Sequence, residues 1–279
     1  MAEQTFRLDG QVVAITGGAG GIGLATAREL AAAGATISFG DLDEAAAQKA
    51  ADDLGHGHIG GHLDVTDPAS FEAFIERTEA EAGLLNVLIN NAGVMILGPL
   101  DQESDEVTAV TIGVNLAGVI NGTKIAMRVL KGHGRGRIIN IASQAGKAGL
   151  PGGATYSATK FAVVGLSDAV RNELRGTGVG VTCVMPGPVD TQLGAALGDS
   201  PAVDLLKPED VGRAIVKAIA KGESDVWIPR RGRFLQPPIG LLPAGGRDFM
   251  MRALKVDQIL TKADSARRAE YEKKAAGGN

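Results

Sequence analysis

The sequence predicts an α/β protein: a doubly wound parallel sheet of about seven strands in three α/β/α layers. Three observations carry that reading. Short β-branched runs alternate with Ala-rich segments of helical period along residues 7–229. The runs are apolar almost throughout, as strands covered on both faces must be. Strict β/α alternation requires crossovers, and right-handed crossovers give a parallel sheet.

The elements follow in chain order. Gln11–Thr16 is the first strand and Gly21–Ala33 the helix that returns from it. Ala35–Gly40 and Glu44–Leu54 repeat the unit, and Gly57–Leu63 is a weaker third strand before the helix Pro68–Glu81. Asn86–Asn90 is the fourth strand, followed by a long helical stretch, Ser104–Leu130. Then come Arg137–Ala142, the helix Thr155–Arg175, the strand Val179–Val184, the helix Pro208–Lys221 and a last strand, Asp225–Ile228. No repeat and no linker divides residues 7–229, which are expected to form one domain, with 230–279 as an extension. Pattern alone leaves a flavodoxin-like strand order as the competing arrangement.

Composition removes several function classes. At 28.5 kDa, with 44% hydrophobic residues and a mean hydropathy of +0.08, the chain has ample material for a core and is no disordered segment. No apolar run reaches the roughly 18 residues of a membrane span and no cleavable signal pattern opens the chain, so a cytoplasmic protein is expected. The lone Cys183 excludes a disulfide framework and reads as core. His56, His58 and His62 are separated by glycines with no Cys or carboxylate completing a compact set, so no metal is expected. The net charge of −4 conceals a split: residues 1–229 carry −10 and residues 230–279 carry +6. The basic tail lacks the aromatic interleaving of a nucleic-acid surface, so no nucleic-acid partner is expected.

Glycine makes up 40 of 279 residues, about twice the usual ~7%. Part of the excess sits where the first strand runs into Thr16-Gly17-Gly18-Ala19-Gly20-Gly21-Ile22-Gly23 and a helix opens. Glycines there let the backbone turn tightly and approach a pyrophosphate, whose charge sits on free N–H groups at the helix N-terminus. Three spaced glycines recur by chance about once in a chain this glycine-rich. The strand-to-helix position is what makes them informative. Asp41 follows 18 residues after Gly23, at the end of the second strand, where a carboxylate can bind the adenosine ribose hydroxyls. Against a 2′-phosphate at ~4 Å, each unit charge pair would cost about 4 kcal/mol at an effective dielectric of ~20. Leu42 follows, and Gly17–Gly23 holds no Arg or Lys to neutralise such a phosphate, so NAD is expected over NADP. The alternative for Asp41 is a helix cap.

Further ordered motifs run along the chain: Asp64-Val65, Asn90-Asn91-Ala92-Gly93, Asn115, Ser143, Tyr156-x-x-x-Lys160 and Pro186-Gly187-Pro188-Val189-Asp190-Thr191. With the glycine turn they make the chain resemble the classical short-chain dehydrogenase/reductase family, on a Rossmann-like fold. Residues four apart share a helix face, so Tyr156 and Lys160 point the same way. A free phenol titrates near ~10, and bringing one to ~7.5 requires about 3.4 kcal/mol favouring phenolate. A neighbouring ammonium supplies on the order of 1–4 kcal/mol. Tyr156 can then exchange a proton with an alcohol or ketone, and Ser143 can orient the substrate oxygen. The resemblance further implies that Lys160 holds the nicotinamide ribose and that Asn115 anchors a water relaying protons to it. It places Asn91, Ala92 and Gly93 beside the adenosine, Asp64 and Val65 by the adenine, and Pro186, Gly187, Val189 and Thr191 beside the nicotinamide. Capping or turn roles are the alternatives for Ser143, Asp64 and the Asn91–Gly93 turn, and a break in a helix is the one for Asn115.

The apolar stretch Gln192–Leu206 falls where the family places its substrate lid, which suits an apolar, steroid-, retinoid- or lipid-like alcohol or ketone. The resemblance also implies a homodimer or homotetramer through the helices near Ser104–Leu130 and Thr155–Arg175. Family members usually end soon after the last strand, whereas this chain continues for about 50 residues past Ile228. The spacing of Phe249, Met250, Ala253, Leu254 and Val256 in that extension predicts a helix with these residues on one face. Covering the active-site mouth or packing on a neighbouring subunit is favoured for Phe234–Leu260 over contact with an anionic membrane surface, because the amphipathicity is modest and acids interrupt the basic face. The expected function is hydride transfer between NAD and a secondary alcohol or ketone. A non-catalytic NAD-binding sensor on the same scaffold is the alternative.

Overall fold

The computed structural model describes residues 6–194, 205–233 and 245–246. Seven parallel strands, β1 (Val12–Thr16), β2 (Thr36–Asp41), β3 (Ile59–His62), β4 (Leu85–Asn90), β5 (Gly136–Ile141), β6 (Val179–Pro186) and β7 (Asp225–Ile228), form one sheet. Their spatial order is β3-β2-β1-β4-β5-β6-β7. Chain order therefore reverses between β1 and β4, and a crevice opens at their C-terminal ends. This order replaces the flavodoxin-like alternative.

Alternation along the strands sorts the helices into two layers. Val13, Ile15, Val87, Ile89 and Ile139 point to one face, where they pack with Leu30 of α1 (Gly21–Ala32), Ala47 and Ala51 of α2 (Glu44–Leu54), and Ile215 and Ile219 of α7 (Pro208–Lys221). Ala14, Leu88 and Ile138 point to the other, against Phe71, Phe74 and Ile75 of α3 (Pro68–Ala82) and Ile125 and Leu130 of α5 (Gly118–Gly132). Helix α6 (Ala154–Glu173) covers the β5–β6 end of that face with Val163 and Val164, against Cys183, Met185 and Trp227.

The ends of the helices are legible in local chemistry. Asp43 caps α2 by accepting from the Ala46 N–H, and Asp67 caps α3 by accepting from the Ala69 N–H, with Pro68 opening the helix. Ser104 caps α4 (Asp105–Ile112) through the Val107 N–H. The third strand, expected over Gly57–Leu63, is limited to four residues because its N-terminal side is replaced by a side chain: His58 Nδ1 accepts from the Ile37 N–H at 3.0 Å. That nitrogen must be neutral to accept, and partial burial holds the His58 pKa below its ordinary value.

One expected element is refined. The helix Ser104–Leu130 is in fact α4 and α5 joined by a π-helical turn, Gly113–Ala117. The three pieces form one continuous helical rod, Asp105–Gly132, which is the one described helix long and apolar enough by composition to cross a membrane. Here its apolar side packs on the sheet instead, with Val119, Ile125, Ala126 and Leu130 buried. Residues 195–204 of the expected lid and the 234–279 part of the extension, apart from 245–246, lie outside the described residues.

Candidate active site

The crevice between β1 and β4 is built from glycine and threonine. Thr16 ends β1 almost wholly buried, and its Oγ1 accepts from the N–H groups of Asn91 at 3.0 Å and Ala92 at 2.9 Å. The Asn91 side-chain amide returns to the Thr16 and Gly17 carbonyls at 3.0 and 2.9 Å. These bonds clamp the glycine turn to the loop after β4. The clamp leaves no room for side chains. A Cβ on Gly17, whose φ is +59°, would sit 2.9 Å from Ala92 Cα, and one on Gly23 would sit 2.7 Å from Asn91 Nδ2. Helix α1 then opens with no side-chain cap and no acid in its first turn. A main-chain cradle against an uncapped, positively polarised helix end fits a pyrophosphate.

Asp41 closes β2 beside this turn. Its Oδ2 accepts from the Ala19 N–H at 3.1 Å and its Oδ1 from the Asp43 N–H at 3.3 Å. The cap of α2 is Asp43, so the capping alternative for Asp41 falls away. Leu42 beside it is 69% exposed, an apolar side chain left open at the rim. Asp64 stands farther along the rim, where its Oδ1 accepts from both the N–H and the hydroxyl of Thr66. It thus makes the strand-end turn that was its alternative reading, while Val65 is buried behind it against Gly118.

Across the crevice the chemistry-bearing side chains converge. Tyr156 and Lys160 lie one turn apart on α6, both buried, with the Lys160 ammonium 5.7 Å from the Tyr156 ring centre. Lys160 Nζ donates to the Ile141 carbonyl at 3.0 Å and lies near Gly93, where a Cβ would stand 3.7 Å from it. Burial lowers the Lys160 pKa from 10.5 to about 8. Ser143 follows β5, and its Oγ accepts from the Ala145 N–H at 3.1 Å, so it does cap a turn. That bond uses an acceptor site and leaves the hydroxyl proton to donate.

Asn115 sits at the centre of the π-helical turn, fully buried. Its Oδ1 accepts from the Val94 N–H at 2.8 Å, and its Nδ2 donates to the Val94 carbonyl at 2.8 Å and to Thr159 Oγ1 at 3.4 Å. The side chain is therefore a brace between the loop after β4 and α6. Met95, Leu97, Leu150 and Leu193 pack around Tyr156, giving its phenol an apolar setting. Pro186 ends β6, and from there the chain folds back so that the Thr191 methyl stands over the glycine turn, 3.3 Å from a Cβ placed on Gly21. Val189 pairs with Leu206, which fixes both ends of the segment between them.

Two contributors escape sequence reading. The Thr16 hydroxyl is part of the glycine motif, yet its role depends on partners 75 and 76 residues away. Glu103 accepts from the hydroxyls of Thr108 and Thr155, both at 2.6 Å, and so ties α4 to the start of α6 just before Tyr156. No spacing rule links those positions. Ile22 lies on α1, partly buried against the core. Cys183 is fully buried, with burial pushing its thiol up to about 11, as a core residue and not a nucleophile. Among the described residues, no group of three His, Cys, Asp or Glu side chains could hold a metal.

Comparison with known proteins bears on this crevice. The family described as short chain dehydrogenase matches residues 11–202. The chain is 37% identical over 208 residues to the 3-oxoacyl-(acyl-carrier-protein) reductase of Escherichia coli, covering 75% of this chain and 85% of the relative. It is 38% identical over 205 residues to the D-threitol dehydrogenase of Mycolicibacterium smegmatis, covering 72% and 79%. A crystal structure of a short chain dehydrogenase/reductase from Burkholderia phymatum in complex with NAD superposes with a TM-score of 0.77 at 28% identity, covering 85% of this chain and 96% of that one.

Proposed function

This chain belongs to the short-chain dehydrogenase/reductase family of oxidoreductases, and on that premise we propose that it interconverts a secondary alcohol and a ketone with NAD. The observation that carries the proposal is the buried Tyr156–Lys160 pair beside Ser143, at the mouth of a glycine cradle fitted to a dinucleotide. Bound there, NAD supplies the hydride acceptor. Gly17, Gly21, Ile22 and Gly23 hold its pyrophosphate end, while Asp41, Leu42, Asp64, Val65, Asn91, Ala92 and Gly93 line the adenosine side. Pro186, Gly187, Val189 and Thr191 line the nicotinamide side.

The chain's own groups do the proton work. Ser143 donates its free hydroxyl proton to the substrate oxygen and fixes it against Tyr156. Tyr156 removes the alcohol proton, or returns it in the reductive direction. Lys160 favours the phenolate through its charge. With its pKa near 8 it is largely an ammonium at neutral pH, poised to lose that charge in mild alkali. Val94 and Thr159 engage the Asn115 side-chain amide, so a relaying water anchored at Asn115 would be held by main-chain groups and not by that amide.

Met95, Leu97, Leu150 and Leu193 around Tyr156 support an apolar substrate. The partly exposed carboxylate of Asp41 at the end of β2, with no cation in the glycine turn, supports NAD over NADP. Residues 7–229 act as one catalytic domain and 230–279 as a basic extension. Exposed Ile112 on α4 and Phe161 on α6 support self-association through those helices in a cytoplasmic oligomer. Turnover of secondary alcohols, from short polyols to sterols and retinoids, tested with NAD and NADP in wild type and Asp41→Ser, checks the reading. Wild type should prefer NAD and an apolar alcohol. Asp41→Ser should raise relative NADP use at least about fivefold, since removing one like charge is worth on the order of 1–4 kcal/mol. Binding of NAD without turnover on any alcohol or ketone would instead make the chain a sensor.

A further inference from the structure

The carbonyl of Ile228, at the last residue of β7, accepts two hydrogen bonds. One comes from the Gly187 N–H at 2.7 Å, and the other from Nε2 of Gln144 at 3.0 Å. Gly187 belongs to the loop after β6, and Gln144 directly follows Ser143. One oxygen thus joins the serine turn, the cofactor-side loop and the point where the C-terminal extension begins. Pro186 pairs with Ile228, so the Gly187 bond continues the β6–β7 ladder and exists whatever residue occupies position 144. The Gln144 bond is separate: it is the side-chain link from that ladder to the turn whose first residue is Ser143.

Two glycines lie close to this amide. A Cβ on Gly187 would lie 3.5 Å from Gln144 Nε2, and one on Gly232 would lie 3.0 Å from it and 3.2 Å from Trp227. The turn Pro229–Gly232, closed by a 3.0 Å bond from the Gly232 N–H to the Pro229 carbonyl, therefore folds over the glutamine. Side-chain lengths matter here, because an amide one methylene shorter would not span from the serine turn to the end of β7.

We infer that Gln144 is a positioning residue that sets the Ser143 hydroxyl in register with the Pro186–Gly187 loop through the Ile228 carbonyl, so that substrate oxygen and cofactor meet at reacting distance. The inference rests on the dehydrogenase reading above. Its energetic logic is that of alignment: misplacing reacting groups by about 1 Å costs on the order of a hundredfold in rate while leaving binding almost unchanged.

The test uses the full chain as wild type, Gln144→Met and Gln144→Glu. Met keeps the length and removes the donor, while Glu sets an oxygen against the carbonyl. Trp227 is the only tryptophan and lies beside Gln144, so energy transfer from it to NADH reports binding. Turnover is then compared with NADH and with NADH deuterated at the transferred position, using the best ketone from the panel. In Gln144→Met the NADH Kd should stay within about threefold, kcat should fall about tenfold or more, and the isotope effect on kcat should grow because hydride transfer has become slower. Gln144→Glu should lose more. Unchanged kcat in Gln144→Met, or a fall matched by the folded fraction with an unchanged isotope effect, would overturn the positioning role. Wild type that binds NADH but turns over no ketone would defeat the dehydrogenase reading itself, and the inference with it. Wild type that turns over while the variants do so equally well would defeat the inference alone.

Discussion

Lys160 is the one buried cation among the described residues. Between pH 8 and 10.5 the unfolded chain still holds the Lys160 proton while the folded chain has released it. The unfolded state binds more protons there, so folded stability rises with pH across that window, and the burial penalty is felt in full below it. A shift of this size corresponds to about 3 kcal/mol. Cys183 acts with the opposite sign, because its pKa is raised from 9.0 to about 11 and stability is lost as pH climbs between them. Comparing wild type with Lys160→Met isolates the lysine. Denaturant unfolding at about pH 7 and about pH 10 should show the wild-type minus variant difference increasing by about 2–3 kcal/mol. Parallel pH dependences would contradict the assigned cause. The pair Tyr156–Lys160 was legible in sequence because four residues make one helical turn. Thr16, Glu103 and Gln144 were not, because their partners stand 75, 52 and 84 residues away along the chain.

Among the elements, the helical rod Asp105–Gly132 shows both the reach and the limit of periodicity. Its apolar spacing announced a helix. A π-helical turn adds one residue to one turn and barely disturbs that spacing, so the turn that carries Asn115 toward Val94 left no signal. Helix α5 then meets the sheet at Gly122. A Cβ there would collide with Asn90 Oδ1 and come within 2.6 Å of the Phe71 ring. Asn90 is fixed from the other side by its 2.8 Å bond to Asn140, which in turn donates to Ser167 at 3.1 Å, so the asparagine cannot swing away. Gly122→Ala should therefore destabilise the fold by about 1–3 kcal/mol, although alanine is the better helix former by up to ~1 kcal/mol. Thermal unfolding checks this, and a stabilised variant would mean that α5 can slide off the sheet freely. The weak third strand had a similar cause: the His58 ring stands in for backbone at its start, and strand propensity does not anticipate such a substitution.

At the scale of the whole molecule, alternation of elements gave the layers but not the order of strands. The order came only with the family resemblance, and the structure gives it a local reason by setting β1 beside β4 and the Asn91 amide after β4 against the Gly17 carbonyl after β1. The charge division has the same character. Residues 1–229 carry the acidic charge, and the basic residues 230–279 begin at the turn after Ile228 that covers Gln144. The central claim for the molecule is that Tyr156 exchanges the substrate proton. Tyr156→Phe preserves the ring among Met95, Leu97 and Leu150 and removes only the hydroxyl. Steady-state turnover of the best alcohol, measured beside NADH binding, should fall by about 10²–10⁴-fold with the NADH affinity almost unchanged. Turnover equal to that of wild type would contradict the account.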